Sequence, residues 1–266
     1  MRFFAPKLAP GWLENGPPTS PQDHFGGWPW GLPPQRWPAC RECGARMSFV
    51  CQLEHHPERL KLGGKGRVMF VFWCLSDLGM CEVWEPEAGA NAVLVLSPEE
   101  RTDSAAEAAD VEVLPYLRVH SWTEGDDGVP PRKLKAFFDY ERNLEEGELW
   151  DVSPGTRLGG APFWPSAAPA CDWDADWKLA LQLAGWDWLE APVPSADELG
   201  CTVTFQHADG TFTKQKPRKR KPSAPRRGVG VTDDGLWSVE RFGDFTIHVF
   251  LKTRTSLPQG RIYMRR

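Results

Sequence analysis

An internal repeat constrains this chain more than any other feature of its sequence. Three short motifs occur twice in the same order, at offsets of 133, 131 and 130 residues. Small loop deletions between two copies of one unit produce this kind of drift. The pairs are Phe-Gly-Gly-Trp-Pro-Trp at 25–30 with Leu-Gly-Gly-Ala-Pro-Phe at 158–163, Pro-Ala-Cys at 38–40 and 169–171, and Gln52 with Gln182. We therefore predict two related halves that arose by internal duplication.

Strand patterns dominate both halves. Residues 68–73 and 92–96 are short continuous apolar runs, as expected of strands buried on both faces. Residues 245–251 alternate in a way that favours a strand with one apolar face. Residues 202–205 and 211–213 flank a turn that contains glycine, which predicts a hairpin. The predicted fold class is α+β, mainly antiparallel β.

The composition divides the chain into four segments. The first 21 residues are rich in proline and polar side chains and are predicted to form an N-terminal arm. Residues 22–115 form the first half and residues 153–266 the second. An acidic connector at 116–152 joins them, and the second half carries a basic loop at 214–227.

Tryptophan is unusually frequent, with 14 Trp against only 3 Tyr. The repeat explains part of this excess, because several tryptophans follow each Gly-Gly-x-Pro motif. We expect one packing centre in each half. The tryptophans concerned are Trp28, Trp30 and Trp37 in the first half and Trp164, Trp173 and Trp177 in the second.

Four of the seven cysteines have the spacing of a metal site. Two residues separate Cys40 from Cys43, so a tight turn can direct both sulfurs at one tetrahedral ion. Cys74 follows the apolar run at 68–73, and a six-residue loop separates it from Cys81. Two such pairs commonly build a structural zinc site, and the predicted first half therefore contains a small zinc knuckle. The alternative is four reduced thiols, since free Cys is often buried as a small apolar residue.

Other uses of the cysteines have less support. Redox chemistry at a Cys-x-x-Cys needs a strand-motif-helix context that is not evident here. A catalytic zinc needs an open position and a nearby base, and the sequence has no His-Glu-x-x-His. In the second half, the repeat preserves a counterpart of only one of these four cysteines, Cys171, which corresponds to Cys40. Any metal therefore belongs to the first half. Cys51 and Cys201 are predicted to be structural.

The motifs around the cysteines resemble the YwqG-like bacterial family, a domain of unknown function. The matching stretches are Gly-Gly-Trp-Pro-Trp-Gly at 26–31, Trp-Pro-Ala-Cys-Arg-Glu-Cys at 37–43, Met-Ser-Phe-Val-Cys-Gln-Leu at 47–53, and residues 66–74, 79–81 and 89–92. The Gly-Gly-x-Pro and Cys-x-x-Cys pattern is also distantly similar to eukaryotic programmed cell death protein 2. The resemblance covers residues 22–96 and 156–183 well.

The resemblance implies zinc at Cys40, Cys43, Cys74 and Cys81, because members with this knuckle tend to carry all four. It implies no activity, and no catalytic residue is assigned. Family members are similar to immunity factors found beside toxins, and the eukaryotic relatives resemble chaperones of a ribosomal protein. The favoured function is a zinc-stabilised protein-binding protein, an immunity-type factor that binds a toxin or another basic partner. The alternatives are a chaperone of a ribosomal or nucleic-acid-associated protein and, with less support, a metal-dependent hydrolase.

An acidic stretch is the candidate surface for a basic partner. Such a surface would steer a nuclease toxin or a ribosomal protein towards the chain. A solvated face explains the stretch equally well, because the whole protein is acidic, with a net charge of −5. The candidate residues are Glu124, Asp126, Asp127, Glu145, Glu146 and Glu148.

The basic loop at 214–227 carries eight basic residues and no acidic one. Its three prolines favour an extended segment over a helix. A nucleic-acid partner is expected only through this loop, with a salt-sensitive contribution to binding. No aromatic residue lies within it, so stacking of single-stranded bases is not indicated. A solvated loop is the simpler interpretation, and the candidate polyanion contacts are Arg218, Lys219, Arg220 and Lys221.

Two further polar patterns are candidate sites. Residues 53–60 are rich in His and Glu and suit a base, a partner contact or a turn, and the turn is favoured. Asp172, Asp174 and Asp176 alternate with apolar residues, which fits a half-exposed strand better than a carboxylate site. No phosphate-binding loop, nucleophile elbow or dinucleotide fingerprint is present, so an enzymatic function lacks named residues.

The sequence also favours a cytoplasmic protein with no membrane partner. No apolar run reaches the roughly 18 residues that a transmembrane helix needs. The N-terminal residues lack the sustained apolar stretch of a signal peptide. An odd number of unevenly spaced cysteines argues against a secreted disulfide framework.

Overall fold

The fold is mainly antiparallel β with few helices, as predicted. The computed structural model describes residues 1–11, 18–77, 80–139, 142, 145–146, 150, 152–166, 176–189, 195–220, 229–232, 237–240, 245–252 and 259–265. The strands are β1 Arg2–Pro10, β2 His24–Phe25, β3 Ser48–Glu54, β4 Val68–Trp73, β5 Asn91–Leu96, β6 Leu117–Asp126, β7 Arg157–Gly159, β8 Trp177–Ala184, β9 Trp186–Leu189, β10 Val203–Gln206, β11 Phe212–Gln215, β12 Val229–Thr232, β13 Trp237–Glu240, β14 Thr246–Lys252 and β15 Gln259–Arg265.

Helices are short and peripheral to this β framework. Four helical segments lie wholly within the described residues: the 3-10 segments Pro34–Arg36, Pro98–Glu100 and Pro131–Phe138, and the single α-helical turn Ala196–Leu199. Residues 145–146 and 150 are helical as well. Among the described residues, no helix has the length and apolar character needed to span a membrane.

Ten strands form one antiparallel sheet that curls into a nearly closed barrel. Their order is β15-β14-β8-β7-β1-β6-β2-β3-β4-β5. The two edge strands, β5 and β15, lie against each other. Gly260 of β15 permits this approach, because a Cβ atom at that position would lie 2.3 Å from the Cβ of Val93 in β5. The closure covers both edges of the large sheet.

The centre of the large sheet is formed by β1 and β6, which pair along their whole length. β1 comes from residues 1–21, so the structure differs here from the expected arm. On its other side, β1 pairs with β7 only at Phe3 and Phe4. Beyond Phe4, β1 pairs only with β6 in the described residues. The other edge of β1 needs no main-chain donor there, so it tolerates Pro6 and Pro10, which lack an N–H.

The strands on either side of β1 and β6 occupy matching positions. On one side lie β2, β3, β4 and β5, and on the other lie β7, β8, β14 and β15. His24 of β2 is opposite Gln52 of β3, and Arg157 of β7 is opposite Gln182 of β8. His24 and Arg157 are 133 residues apart in the chain, and Gln52 and Gln182 are 130 apart. Both values are offsets of the sequence repeat.

The two glutamines also make equivalent hydrogen bonds. The Oε1 atom of Gln52 accepts from the main-chain N–H of Trp30 at 2.8 Å, and the Oε1 atom of Gln182 accepts from that of Phe163 at 2.8 Å. Both donors directly follow a Gly-Gly-x-Pro motif whose two glycines have positive φ. Each buried glutamine therefore holds one such motif against its own strand, β3 for Gln52 and β8 for Gln182.

The two sides differ most in one connection. Residues 55–67 join β3 to β4, whereas the connection from β8 to β14 contains a second sheet of five strands. Its order is β11-β10-β12-β13-β9, with β10 and β12 parallel. The predicted hairpin is present as β10 and β11, with Gly210 at φ +81° in its turn.

Two aromatic clusters lie where the tryptophan pattern predicted packing centres. The first contains Trp28, Trp37, Phe49 and Phe72, and the second contains Trp164, His248, Phe250 and Tyr263. Trp173 lies outside the described residues.

β14 is buried more deeply than its alternating pattern predicted. Its strictly apolar residues face the main core, as expected. His248 and Phe250 on the opposite face are also buried, and both rings pack against Trp164. The second face of β14 therefore lies under an apolar layer instead of in solvent.

Candidate metal centre

The four cysteines predicted to bind metal meet at one point. Their Sγ atoms all lie within 4.8 Å of one another, with separations of 3.6 Å between Cys43 and Cys74 and 3.8 Å between Cys74 and Cys81. Four sulfurs placed tetrahedrally at about 2.3 Å from a zinc ion would be about 3.8 Å apart. The spacing of Cys40, Cys43, Cys74 and Cys81 therefore suits one tetrahedral ion.

The first cysteine pair sits on a tight turn. The N–H of Cys40 donates to the carbonyl of Ala45 at 2.8 Å, and the N–H of Gly44 donates to the carbonyl of Cys40 at 2.9 Å. Gly44 has φ +75°, a conformation that glycine adopts at little cost. This turn places Cys43 beside Cys40 with both sulfurs on the same side.

The second pair is presented by the loop between β4 and β5. Cys74 directly follows β4, and its N–H donates to the carbonyl of Ala90 at 2.9 Å. The side-chain amide of Asn91 donates to the carbonyls of Val83 and Glu85, at 2.9 and 3.2 Å. These bonds hold the segment that carries Cys81 against the start of β5.

Direct contacts also join the two loops. Both carboxylate oxygens of Glu42 accept from the N–H of Glu82, at 3.1 and 3.0 Å. The N–H of Arg41 donates to the carbonyl of Gly89 at 3.0 Å. Protein contacts thus bring the two cysteine pairs together, and a shared ion would add a covalent-strength link between them.

Burial differs among the four thiols. Cys40, Cys74 and Cys81 are buried, whereas Cys43 is exposed. Burial raises the pKa of Cys74 and Cys81, and a main-chain hydrogen bond at Ala45 lowers the pKa of Cys43. Because thiolate is the form that ligates metal, a divalent cation would have to offset the cost of the buried charges.

The sequence pattern predicted that the four cysteines would come together but missed the residues that hold their loops in place. Glu42 lies inside the Cys-x-x-Cys and offered no separate signal. Asn91 was part of the Gly-Ala-Asn-Ala stretch that resembles the family, although its role was not predicted. A polar residue at the start of an apolar strand was the signal that could have identified it.

Among the described residues, two further cysteines lie outside this cluster. Cys51 lies in β3 and Cys201 follows the short helix, and both are buried. Burial raises the pKa of Cys201 to about 11, which keeps the thiol protonated and unreactive. Cys171 lies outside the described residues.

Two of the predicted partner-binding acids are buried. The Asp127 carboxylate accepts from the N-terminal ammonium and from the N–H of Ala161, the latter at 2.7 Å. Glu146 forms an ion pair with Lys133 at 3.0 Å. Both carboxylates therefore stabilise the fold from within.

The other acids of that set lie at the surface or outside the described residues. Glu124 is exposed and pairs with Arg2, and Asp126 is exposed beside the N-terminal ammonium. Glu145 is exposed, and Glu148 lies outside the described residues. The exposed part of the predicted acidic surface is thus the end of β6 together with Glu145.

The candidate polyanion contacts are also only partly described. Arg218 pairs with Asp197 at 3.4 Å, and its own N–H donates to the same carboxylate at 2.6 Å. Lys219 and Arg220 are exposed. Lys221 lies outside the described residues.

The His-rich segment forms the turn that was favoured. The main chains of His56 and Leu60 bond to each other in both directions, which closes the turn. The Nδ1 atom of His55 accepts from the N–H of Leu62 at 2.9 Å, and burial lowers the pKa of His55. Of the three alternating aspartates, Asp172 and Asp174 lie outside the described residues.

Comparison with known proteins yields no assignment. No protein-family model matches the chain, and no curated protein matches it. The similarity to the YwqG-like family therefore rests on the motifs quoted above.

Proposed function

We propose that this protein is a zinc-stabilised protein-binding protein built from two related halves. The observation that carries the metal assignment is the convergence of four sulfurs from two separate loops within 4.8 Å. A tetrahedral set of four thiolates is typical of zinc or iron-sulfur centres, and the two-pair arrangement is that of structural zinc knuckles.

The donor set favours a structural role over a catalytic one. Four protein ligands fill the tetrahedral coordination of zinc and leave no position for water or substrate. Three of the four sulfurs are buried, which also limits access to the ion. A metal-dependent hydrolase would need an open position, so this arrangement counts against that alternative. X-ray absorption at the zinc edge should give a shell of sulfur only; an oxygen ligand in that shell would contradict the structural role.

Internal duplication is supported by contacts as well as by sequence. The two Gly-Gly-x-Pro motifs each bond to a buried glutamine on the neighbouring strand. His24 and Arg157, the residues opposite those glutamines, also reach the same position of each motif. The His24 ring bonds to the carbonyl of Trp28, and the Arg157 guanidinium donates to the carbonyl of Ala161. Four equivalent positions in one order are difficult to obtain by chance.

We infer that the bound partner is basic, as expected of an immunity-type factor. The support is the exposed acidic end of β6, with Glu124 and Asp126, together with the net charge of −5. Complementary charge accelerates association and disfavours partners of the same sign. The role as an immunity factor comes from the family resemblance.

The partner role can be tested by neutralisation. A toxin encoded beside the gene would be co-expressed with the protein, and growth of the host would be measured. The double variant Glu124→Lys/Asp126→Lys should lose protection, while the matched control Glu107→Lys, an exposed acid elsewhere, should keep it. Equal protection by both variants would contradict the acidic surface. Solubilisation of a basic ribosomal protein without neutralisation would favour the chaperone alternative.

A further inference from the structure

The second sheet ends in a strand whose outer edge is open in the described part of the chain. β11 pairs with β10 on one side, and no described strand pairs with it on the other. All four of its residues are exposed, and Phe212 keeps 61% of its surface in solvent. A strand edge of this kind presents unpaired main-chain N–H and C=O groups with which another chain can pair.

The main chain of β11 presents hydrogen-bonding groups along this edge. The N–H of His207 donates to the carbonyl of Thr211 at 2.9 Å, so this pair is hydrogen-bonded across the hairpin. Bonded and non-bonded pairs alternate in antiparallel strands, which makes Thr213 the next bonded position on β11. Phe212 and Lys214 therefore direct their N–H and C=O groups away from β10.

The side chains of the same two residues share one face of the sheet. Val203 and Phe205 of β10 pack on the main core, and their partners across the hairpin are Gln215 and Thr213. Because side chains alternate along a strand, Phe212 and Lys214 lie on the opposite face, away from that core.

The edge is basic in an otherwise acidic protein. Residues 210–220 contain five basic side chains and no acidic one. The neighbouring acids are already engaged, because Asp209 accepts from Thr211 and Asp197 pairs with Arg218. In the described residues, three lysines of this segment form no ion pair: Lys214, Lys216 and Lys219.

We propose that β11 binds an extended acidic segment of another protein, which adds to the second sheet as a further strand. Main-chain bonds to Phe212 and Lys214 would hold the segment, and its carboxylates would face the lysines. A second copy of this chain is disfavoured because like-charged lysines would meet across the new pair. Single-stranded nucleic acid is less well matched, since Phe212 is the one aromatic side chain described on this exposed face. This site is separate from the metal centre and from the acidic surface.

The test uses a fluorescent peptide of eight residues in which Glu and Val alternate, and anisotropy reports its binding to the full chain. Lys214→Glu should weaken binding about tenfold or more, because it replaces attraction with repulsion. Lys214→Ala and Lys214→Pro remove the same charge. Only the proline variant also removes the main-chain N–H of residue 214, which points away from β10. We expect Lys214→Pro to bind about fivefold more weakly than Lys214→Ala.

Three comparisons make the result decisive. Lys65→Glu, at an exposed lysine of another loop, should bind the peptide as the wild type does, and an equal loss there would overturn the site. A peptide N-methylated at alternate positions should not bind, and unchanged affinity would overturn strand addition. Tighter binding of a twelve-nucleotide oligothymidine than of the peptide, with loss in Phe212→Ala, would assign the surface to nucleic acid and overturn the proposal.

Discussion

The two sides of the large sheet share a strand framework but stabilise their loops by different means. On the side of β2 to β5, the long connections converge on four cysteines. On the side of β7, β8, β14 and β15, the longest connection folds into the second sheet, and Trp164 packs over His248 and Phe250. The comparison indicates that glutamine and glycine contacts define the framework, while the connections are free to diverge.

The pair His24 and Arg157 illustrates this difference at a single position. Each lies two residues before a Gly-Gly-x-Pro motif, and each reaches the carbonyl of the residue before its proline. Burial lowers the pKa of the His24 imidazole, and it lowers the pKa of the Arg157 guanidinium to about 10. The same main-chain acceptor is thus satisfied by two chemically different donors.

The largest expected effect comes from removing the metal. Chelation, or the substitution Cys74→Ser, should lower the melting temperature by about 10 °C or more, because structural zinc contributes folding free energy directly. Hydrogen exchange should accelerate in residues 38–47 and 74–90, while β14 and β15 keep their protection. Cys51→Ala, a buried thiol outside the cluster, serves as the control. Uniform loss of protection on both sides would contradict an ion that acts locally.

The next largest effect is expected where the two sides meet. Gly260→Val should cost about 3 kcal/mol in urea unfolding, because the new side chain would overlap Val93 across the barrel closure. Gly64→Ala has only flexible side-chain atoms near the new Cβ and should change stability by less than about 0.5 kcal/mol. Equal costs for the two variants would show that β5 and β15 do not close the barrel.

Removal of the buried glutamines tests whether the two sides are equivalent. Gln52→Ala and Gln182→Ala should each cost about 2 kcal/mol, because each removes a buried side chain and leaves a partly buried main-chain N–H without its acceptor. The double variant should be additive if the two contacts are independent. Loss of stability in one variant and none in the other would argue against matched halves.

The smallest effect concerns pH and distinguishes His24 from Arg157. Burial lowers the pKa of His24, and hydrogen bonds to the carbonyls of Gln22 and Trp28 only partly oppose this shift. Below the ordinary pKa of about 6.5, the unfolded chain then binds more protons than the folded chain. Stability should therefore fall as the pH drops below that value, and His24→Gln should reduce the dependence. An unchanged pH profile in the variant would contradict the assignment.

Much of the large sheet was predictable, because its strands carry strong local signals. The runs at 68–73 and 92–96 form β4 and β5 almost residue for residue. β1 was missed because Pro6 and Pro10 suggested irregular structure, and pairing on a single side beyond Phe4 could not be read from the sequence. Pairing between β1 and β6 joins positions more than a hundred residues apart, so no local pattern reports it.

The meeting of the four cysteines was predictable from their spacing, whereas the candidate partner surface was not. Cysteine spacing reflects local turn geometry, which a sequence states directly. The acidic stretch gave no sign that the side chains of Asp127 and Glu146 are buried, since burial depends on which distant segments pack over them. Charge in a sequence thus identifies where carboxylates are, and the fold decides which of them remain available to a partner.

The proposed zinc ion between the two cysteine loops can be tested by metal stoichiometry. The protein would be purified without chelator, and zinc per chain would be measured for the wild type, Cys40→Ser/Cys74→Ser and Cys51→Ser. We expect about one zinc per chain in the wild type and in Cys51→Ser, and none in the double variant. A wild type without zinc, or a double variant that retains it, would rule out a zinc ion held by these cysteines.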